Sequence, residues 1–157
     1  MNLKYWILAA RPKTLTAALI PVCTATALAF AQGHGRWLPA VVCMLFAALM
    51  QIAANFINDL FDFKKGTDRE DRLGPERACA QGWITPQAMK RGIGVMLVLA
   101  CAVGCCLLPY GGWVLVGIGV ACVVFAFLYT TLLSYMGCGD VLVWVFFGLV
   151  PVCGTYY

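Results

Sequence analysis

From Thr14 to Gly35 the chain carries no charged side chain, and after the single Arg36 it carries none again until Asp59. A helix needs roughly 20 apolar residues to cross the hydrocarbon core of a bilayer, so each run is long enough to span it once. A third uncharged run, Gly92 to Gly139, has room for two crossings and is punctuated at "LPYGG" by Pro109 and the pair Gly111 and Gly112. After Asp140, "VLVWVFFGLVPVCGTYY" reads as a fifth span with neither a basic flank nor a cap at its end. The runs are continuous and show no two-residue alternation, which favours helices over the strands of a membrane barrel. Composition agrees, because 62% hydrophobic against 11% charged residues lies outside the range of soluble domains. The expectation is all-α: a polytopic transmembrane helix bundle of about five spans, forming one domain over 1–157.

Basic residues orient it. Lys4, Arg11 and Lys13 precede the first span, while Lys64, Lys65, Arg69, Arg72, Arg77, Lys90 and Arg91 crowd the polar stretch 58–91 between the second and third. By the positive-inside rule both are cytoplasmic, and so is the amino terminus. The opposite side holds only Arg36, with Trp37, Tyr110 and Trp113 as interfacial anchors, and the short link "SYMGCGD" falls inside. The first span has a rival reading as a secretory signal cleaved near Ala29, Phe30 and Ala31. Pro21 in mid-run, the long amino-terminal lead and the parity of the topology oppose it.

Most of the nine cysteines lie inside the apolar runs, where thiols behave as small hydrophobes. With no Cys-x-x-Cys pair and with His34 alone in an outer loop, a structural zinc site is not expected. No P-loop, nucleic-acid motif or internal repeat is present, and a net charge of +4 calls for no acidic partner.

The chain spends its polarity in one place, "NFINDLFDFKKGTD". If the second span continues as a helix, Asn55, Asn58, Asp59 and Asp62 fall at i, i+3, i+4 and i+7, on one face. Two carboxylates three residues apart repel each other, and a helix stopped by Gly66 turns its negative end toward them. A cation should therefore occupy the face, and hard Asp and Asn oxygens suit Mg²⁺, which keeps waters or takes phosphate oxygens. Asp68, past Gly66, is placed to fold back and join them. The plainer alternative is a wet loop whose aspartates pair with Lys64, Lys65 or Arg69. Asn55 and Asn58 argue for a cavity instead, because polar groups deeper in a span usually line one.

"QIAANFINDLFDFKKGTD" followed by "RLGPERACAQGWITP" resembles the first aspartate-rich region of the UbiA superfamily of intramembrane prenyltransferases, on its dihydroxynaphthoate branch. "ARPKTLTAALIPV", "YTTLLSYMGCGD" and "FFGLVPVCGTYY" extend the resemblance over nearly the whole chain. Three departures stand out. Gly66 occupies the place of the general pattern's third aspartate, with Asp68 two residues on; Met136 stands near where that branch usually carries a basic residue; and the family's second acidic motif and later helices, in a fold of about nine, are not in this sequence. The chain is thus expected to be the amino-terminal part of a longer enzyme.

The resemblance implies Mg²⁺-dependent transfer of a polyprenyl group from polyprenyl diphosphate to 1,4-dihydroxy-2-naphthoate or a related aromatic acceptor. That reaction belongs to menaquinone biosynthesis, in a bacterial cytoplasmic (inner) membrane. It implies Asp59, Asp62 and Asp68 as metal ligands, with Asn55 and Asn58 beside them as catalytic ligand or diphosphate contacts. Arg72 and Arg77 would meet diphosphate oxygens or the acceptor carboxylate, Lys13 and Arg11 would reach the substrate site from the first span, and Tyr129 would offer its π face to a cation. The alternatives are an inactive truncated fragment and a non-enzymatic cation-binding membrane module. The latter is expected to show broken helices or repeats.

Overall fold

The computed structural model describes residues 2–66, 76–131 and 143–157, and every regular element among them is helical. Asp68, Arg72, Met136 and the "SYMGCGD" link lie outside the described residues. The chain opens with α1, Leu3–Ala10, whose first turn is capped by Asn2 Oδ1 accepting from Lys4 N at 3.3 Å. Arg11 then turns left-handed at φ 51°. A residue before proline is pushed out of the α region, so Pro12 forces the break and itself starts α2, Pro12–Ala31, at the position where its missing N–H matters least. Sequence reasoning treated this lead as a plain approach to the first span; the "RP" pair was the available signal for a separate helix.

α3 runs Trp37–Lys65, 29 residues, and ends at Gly66, whose left-handed φ of 64° lets its N–H reach back to Asp62 and Phe63 carbonyls. At 1.5 Å per residue α3 is about 44 Å long, more than the roughly 30 Å of hydrocarbon, so one end must stand at the interface. α4, Pro86–Cys105, begins with Thr85 Oγ1 accepting from Ala88 N at 3.3 Å and Pro86 in the first turn. The polar stretch set at 58–91 therefore begins inside α3 and ends inside α4. α5, Leu108–Thr131, is kinked at Gly112, with φ 59° and ψ −152°. The break between the third and fourth spans falls at Cys106 and Leu107, just ahead of the expected Pro109, with Gly112 absorbing the remaining turn. A π-helical segment, Trp144–Leu149, leads into α6, Val150–Tyr156.

Four helices are long and apolar enough to cross a membrane, Pro12–Ala31, Trp37–Lys65, Pro86–Cys105 and Leu108–Tyr129, with a shorter apolar helix over Trp144–Tyr156. These correspond to the four complete spans and the beginning of a fifth read from the sequence. α3 is the central post: α1, α2, α4 and α5 all pack on it, while α6 packs on α2. The tightest core is not at mid-height but at the polar end of α3. There Phe56, Ile57 and Leu60 meet Ala9 of α1, Met89 and Ile93 of α4, and Ala78, Cys79 and Ile84 from the connection before α4. Tyr5 stacks on Trp83 with ring centroids 4.9 Å apart, tying α1 to that connection. The acidic turn of α3 is thus mounted on a rigid base.

Candidate functional site

Two turns of α3 carry Asn55, Asn58, Asp59 and Asp62, and the structure divides them. At about 100° per residue, Asn58 and Asp62 lie toward one edge of the polar arc and Asn55 and Asp59 toward the other. Different neighbours cover the two edges.

On the first edge, Asn58 opens into a cavity of ≈ 320 Å³. Its walls are largely apolar, mixing small side chains such as Ala18, Ala47 and Gly104 with large ones such as Phe46, Leu115 and Phe125. α5 adds Ala126 and Tyr129, and the carboxy-terminal helical segment adds Phe146 and Val150. Gln51 lines the same cavity two turns below Asn58. Asp62, one turn beyond Asn58, is paired with Arg77, whose Nη2 donates to Asp62 Oδ2. The pair is partly shielded, with Arg77 6% and Asp62 20% exposed. The guanidinium offsets the negative helix end that Asp62 would otherwise face uncompensated. The alternative pairing with Lys64 is not what forms, since Lys64 instead lies over the Phe61 ring, 5.4 Å from its centroid.

On the second edge the side chains hold polypeptide. Asn55 Nδ2 donates to the Ala10 carbonyl at 2.8 Å and to Thr14 Oγ1 at 2.9 Å. Gln51 Nε2 donates to Thr14 Oγ1 at 3.2 Å, and the Thr14 hydroxyl donates in turn to the Arg11 carbonyl at 2.9 Å. This network satisfies carbonyls left open by the corner between α1 and α2. Asp59 is 1% exposed, and its Oδ2 and Oδ1 accept from the backbone N–H groups of Ala78 and Cys79 at 2.8 and 2.9 Å. Removing a partner from a buried group of this kind costs about 1–3 kcal/mol, and more for a charge.

Of the basic residues expected at the site, Arg77 is there, Arg11 forms the left-handed corner, and Lys13 is exposed on the first turn of α2, not among the residues lining the cavity. Tyr129 lines the cavity. Sequence reasoning missed Gln51 and Thr14. Gln51 had a signal, an amide inside an uncharged run one turn before Asn55; Thr14 had none.

The donor set on the first edge fits a hard cation. Asn58 and Asp62 offer oxygen ligands one turn apart, and among the described residues no three acidic, histidine or cysteine groups converge on one point.

The chain forms a bundle of membrane-length helices around an apolar cavity that Asn58 lines, with the Asp62–Arg77 pair one turn farther along α3. Residues 18–157 match the family model described as the UbiA prenyltransferase family, and the chain belongs to that family. It is similar to the 1,4-dihydroxy-2-naphthoate octaprenyltransferase of Escherichia coli (strain K12), at 39% identity over 97% of this chain and 52% of that protein. The protein of the same name from Haemophilus influenzae (strain ATCC 51907 / DSM 11121 / KW20 / Rd) is also 39% identical, over 99% of this chain and 54% of its own length. The human UbiA prenyltransferase domain-containing protein 1 is 30% identical over 96% of this chain and 46% of that protein. The chain spans about half the length of these curated relatives.

Proposed function

We propose that the protein transfers a polyprenyl group from its diphosphate to 1,4-dihydroxy-2-naphthoate, with Mg²⁺, at the cytoplasmic face of a bacterial membrane. The observation that carries this reading is the apolar cavity that Asn58 lines, one turn before the Asp62–Arg77 pair on α3, in a chain of this family. The isoprenoid tail suits the apolar walls. Asn58 and Asp62 would hold the metal, with Asp68 following beyond Gly66, and Arg77 and Arg72 would take diphosphate oxygens through their planar donors. Bound Mg²⁺ supplies Lewis-acid neutralisation of charge on the departing diphosphate.

The residues of the chain do the rest. As the allylic carbon–oxygen bond breaks, its electron pair leaves with the diphosphate, and a fixed guanidinium beside Asp62 stabilises that charge without reorganising. The acceptor ring carbon bearing the carboxylate supplies the pair for the new carbon–carbon bond, and the carboxylate leaves as CO₂, returning a pair to the ring. The apolar walls keep out water that would quench the allylic cation, and the Tyr129 ring faces the same space. The cytoplasmic side follows from the basic residues around the polar end of α3.

The test is prenyl transfer from radiolabelled polyprenyl diphosphate to dihydroxynaphthoate, in membranes of a host lacking its own enzyme and carrying the full chain. Product that requires Mg²⁺ and disappears with chelator is expected. A well-inserted protein that forms none across prenyl chain lengths and aromatic acceptors would overturn the reading.

A further inference from the structure

Asp59 stands beside the cavity-facing residues in sequence yet is turned away from them. It is 1% exposed, and both carboxylate oxygens are engaged by successive backbone N–H groups, of Ala78 at 2.8 Å and Cys79 at 2.9 Å. Those amides open a tight turn. The Ala78 carbonyl accepts from Trp83 N at 2.9 Å and Ile84 N at 3.2 Å, Gln81 N donates to the Arg77 carbonyl at 3.0 Å, and Gly82 takes φ 70°. The turn is self-bonded, and Ala78, Cys79 and Ile84 are buried against Ile57 and Leu60 of α3. Because both amides point at one carboxylate, its position sets the position of the whole turn. The residue before Ala78 is Arg77, which meets Asp62 three residues farther along α3.

We propose that Asp59 is a positioning residue: its buried carboxylate docks the turn from Arg77 to Ile84 on α3 and so delivers the Arg77 guanidinium to Asp62, beside the proposed diphosphate site. A carboxylate is the side chain suited to this, since it carries two acceptors side by side and no donor. Asparagine would set an NH₂ group against one of the two N–H donors. The proposal rests on the reading of the surroundings of Asp62 as the diphosphate site, and it separates Asp59 from the metal-binding role that its place in the acidic cluster suggests.

The experiment compares Asp59→Asn, Asp59→Glu and Asp62→Asn in the full chain, in membrane vesicles, with Cys79 kept as the single thiol. Three readouts are taken: maleimide labelling of Cys79, KM for polyprenyl diphosphate, and the Mg²⁺ concentration giving half-maximal rate. In Asp59→Asn the buried Cys79 becomes labelled, KM rises about tenfold or more, the effect of losing one hydrogen bond to a charged group, and the Mg²⁺ requirement stays at the wild-type value. Asp59→Glu, which keeps two acceptors, restores part of the Cys79 protection and of KM, and it stands in if the asparagine variant does not accumulate. Adding Asp59→Asn to Arg77→Ala raises KM no further, because the pathway through Arg77 is already gone. Continued protection of Cys79 in Asp59→Asn, with a raised Mg²⁺ requirement like that of Asp62→Asn, would make Asp59 a metal ligand and overturn the proposal. So would full additivity with Arg77→Ala. Absence of product from the wild type would fell the functional reading instead, while Cys79 labelling would still decide whether Asp59 docks the turn.

Discussion

The two edges of the polar turn of α3 are built from the same residue pair, an asparagine and an aspartate one helical turn apart, and they do different work. Asn55 and Asp59 are saturated by backbone groups, the Ala10 carbonyl on one and the Ala78 and Cys79 amides on the other. Asn58 faces the cavity, and Asp62 faces a guanidinium. A polar residue bonded to the main chain holds a shape, whereas one that lines a cavity or pairs with a guanidinium stands where a ligand can meet it. The saturated edge lies over the buried cluster around Phe56, Ile57 and Leu60, and the other lies toward the apolar cavity.

The comparison breaks most sharply at Asp62. On the proposed function, Asp62→Asn is expected to lower prenyl transfer by about a thousandfold, on the scale of losing a principal electrostatic group at a reacting centre. The protein should insert normally and Cys79 should stay protected from maleimide. Near wild-type turnover in that variant would remove Asp62 from the site.

Asn58→Ala should come next, lowering activity about ten- to a hundredfold, by one polar contact to a charged ligand, a larger loss than that in thermal midpoint. Its counterpart Asn55→Ala should do the reverse. Stripping the Ala10 carbonyl and the Thr14 hydroxyl of a donor is expected to destabilise the protein by about 1–3 kcal/mol. Thermal unfolding in detergent reads this as a lowered midpoint, with KM for the diphosphate near the wild-type value. If the two substitutions give the same balance of activity and stability loss, the division between the edges is wrong.

The smallest effect is expected at Gly66, which ends α3 with φ 64° in open space. Gly66→Ala meets no neighbour but must adopt a left-handed conformation that disfavours a Cβ, at about 1–2 kcal/mol. A thermal midpoint unchanged or raised would show that the turn after Lys65 does not need that conformation.

Much was legible before any tertiary contact was known. Uncharged runs longer than a bilayer is thick mark spans because no charge can be left there without a partner, and this located four full helices and the start of another. The stop at Gly66 follows from local backbone preference, and the clustering of Asn55, Asn58, Asp59 and Asp62 on one arc follows from the helical repeat alone. Each of these is set by residues near one another along the chain.

What the repeat cannot specify is the neighbour that meets each side of the arc. The partners of Asp59 and Asp62 come from a turn 15 to 20 residues farther on, and those of Asn55 from a corner 41 to 45 residues back. Their arrival depends on how α1, the turn at Ala78 and α4 pack around Phe56, Ile57 and Leu60. A carboxylate reads the same in sequence whether it meets two amides or a guanidinium. Only the tertiary packing decides which, because it alone sets which donors are close enough to replace water.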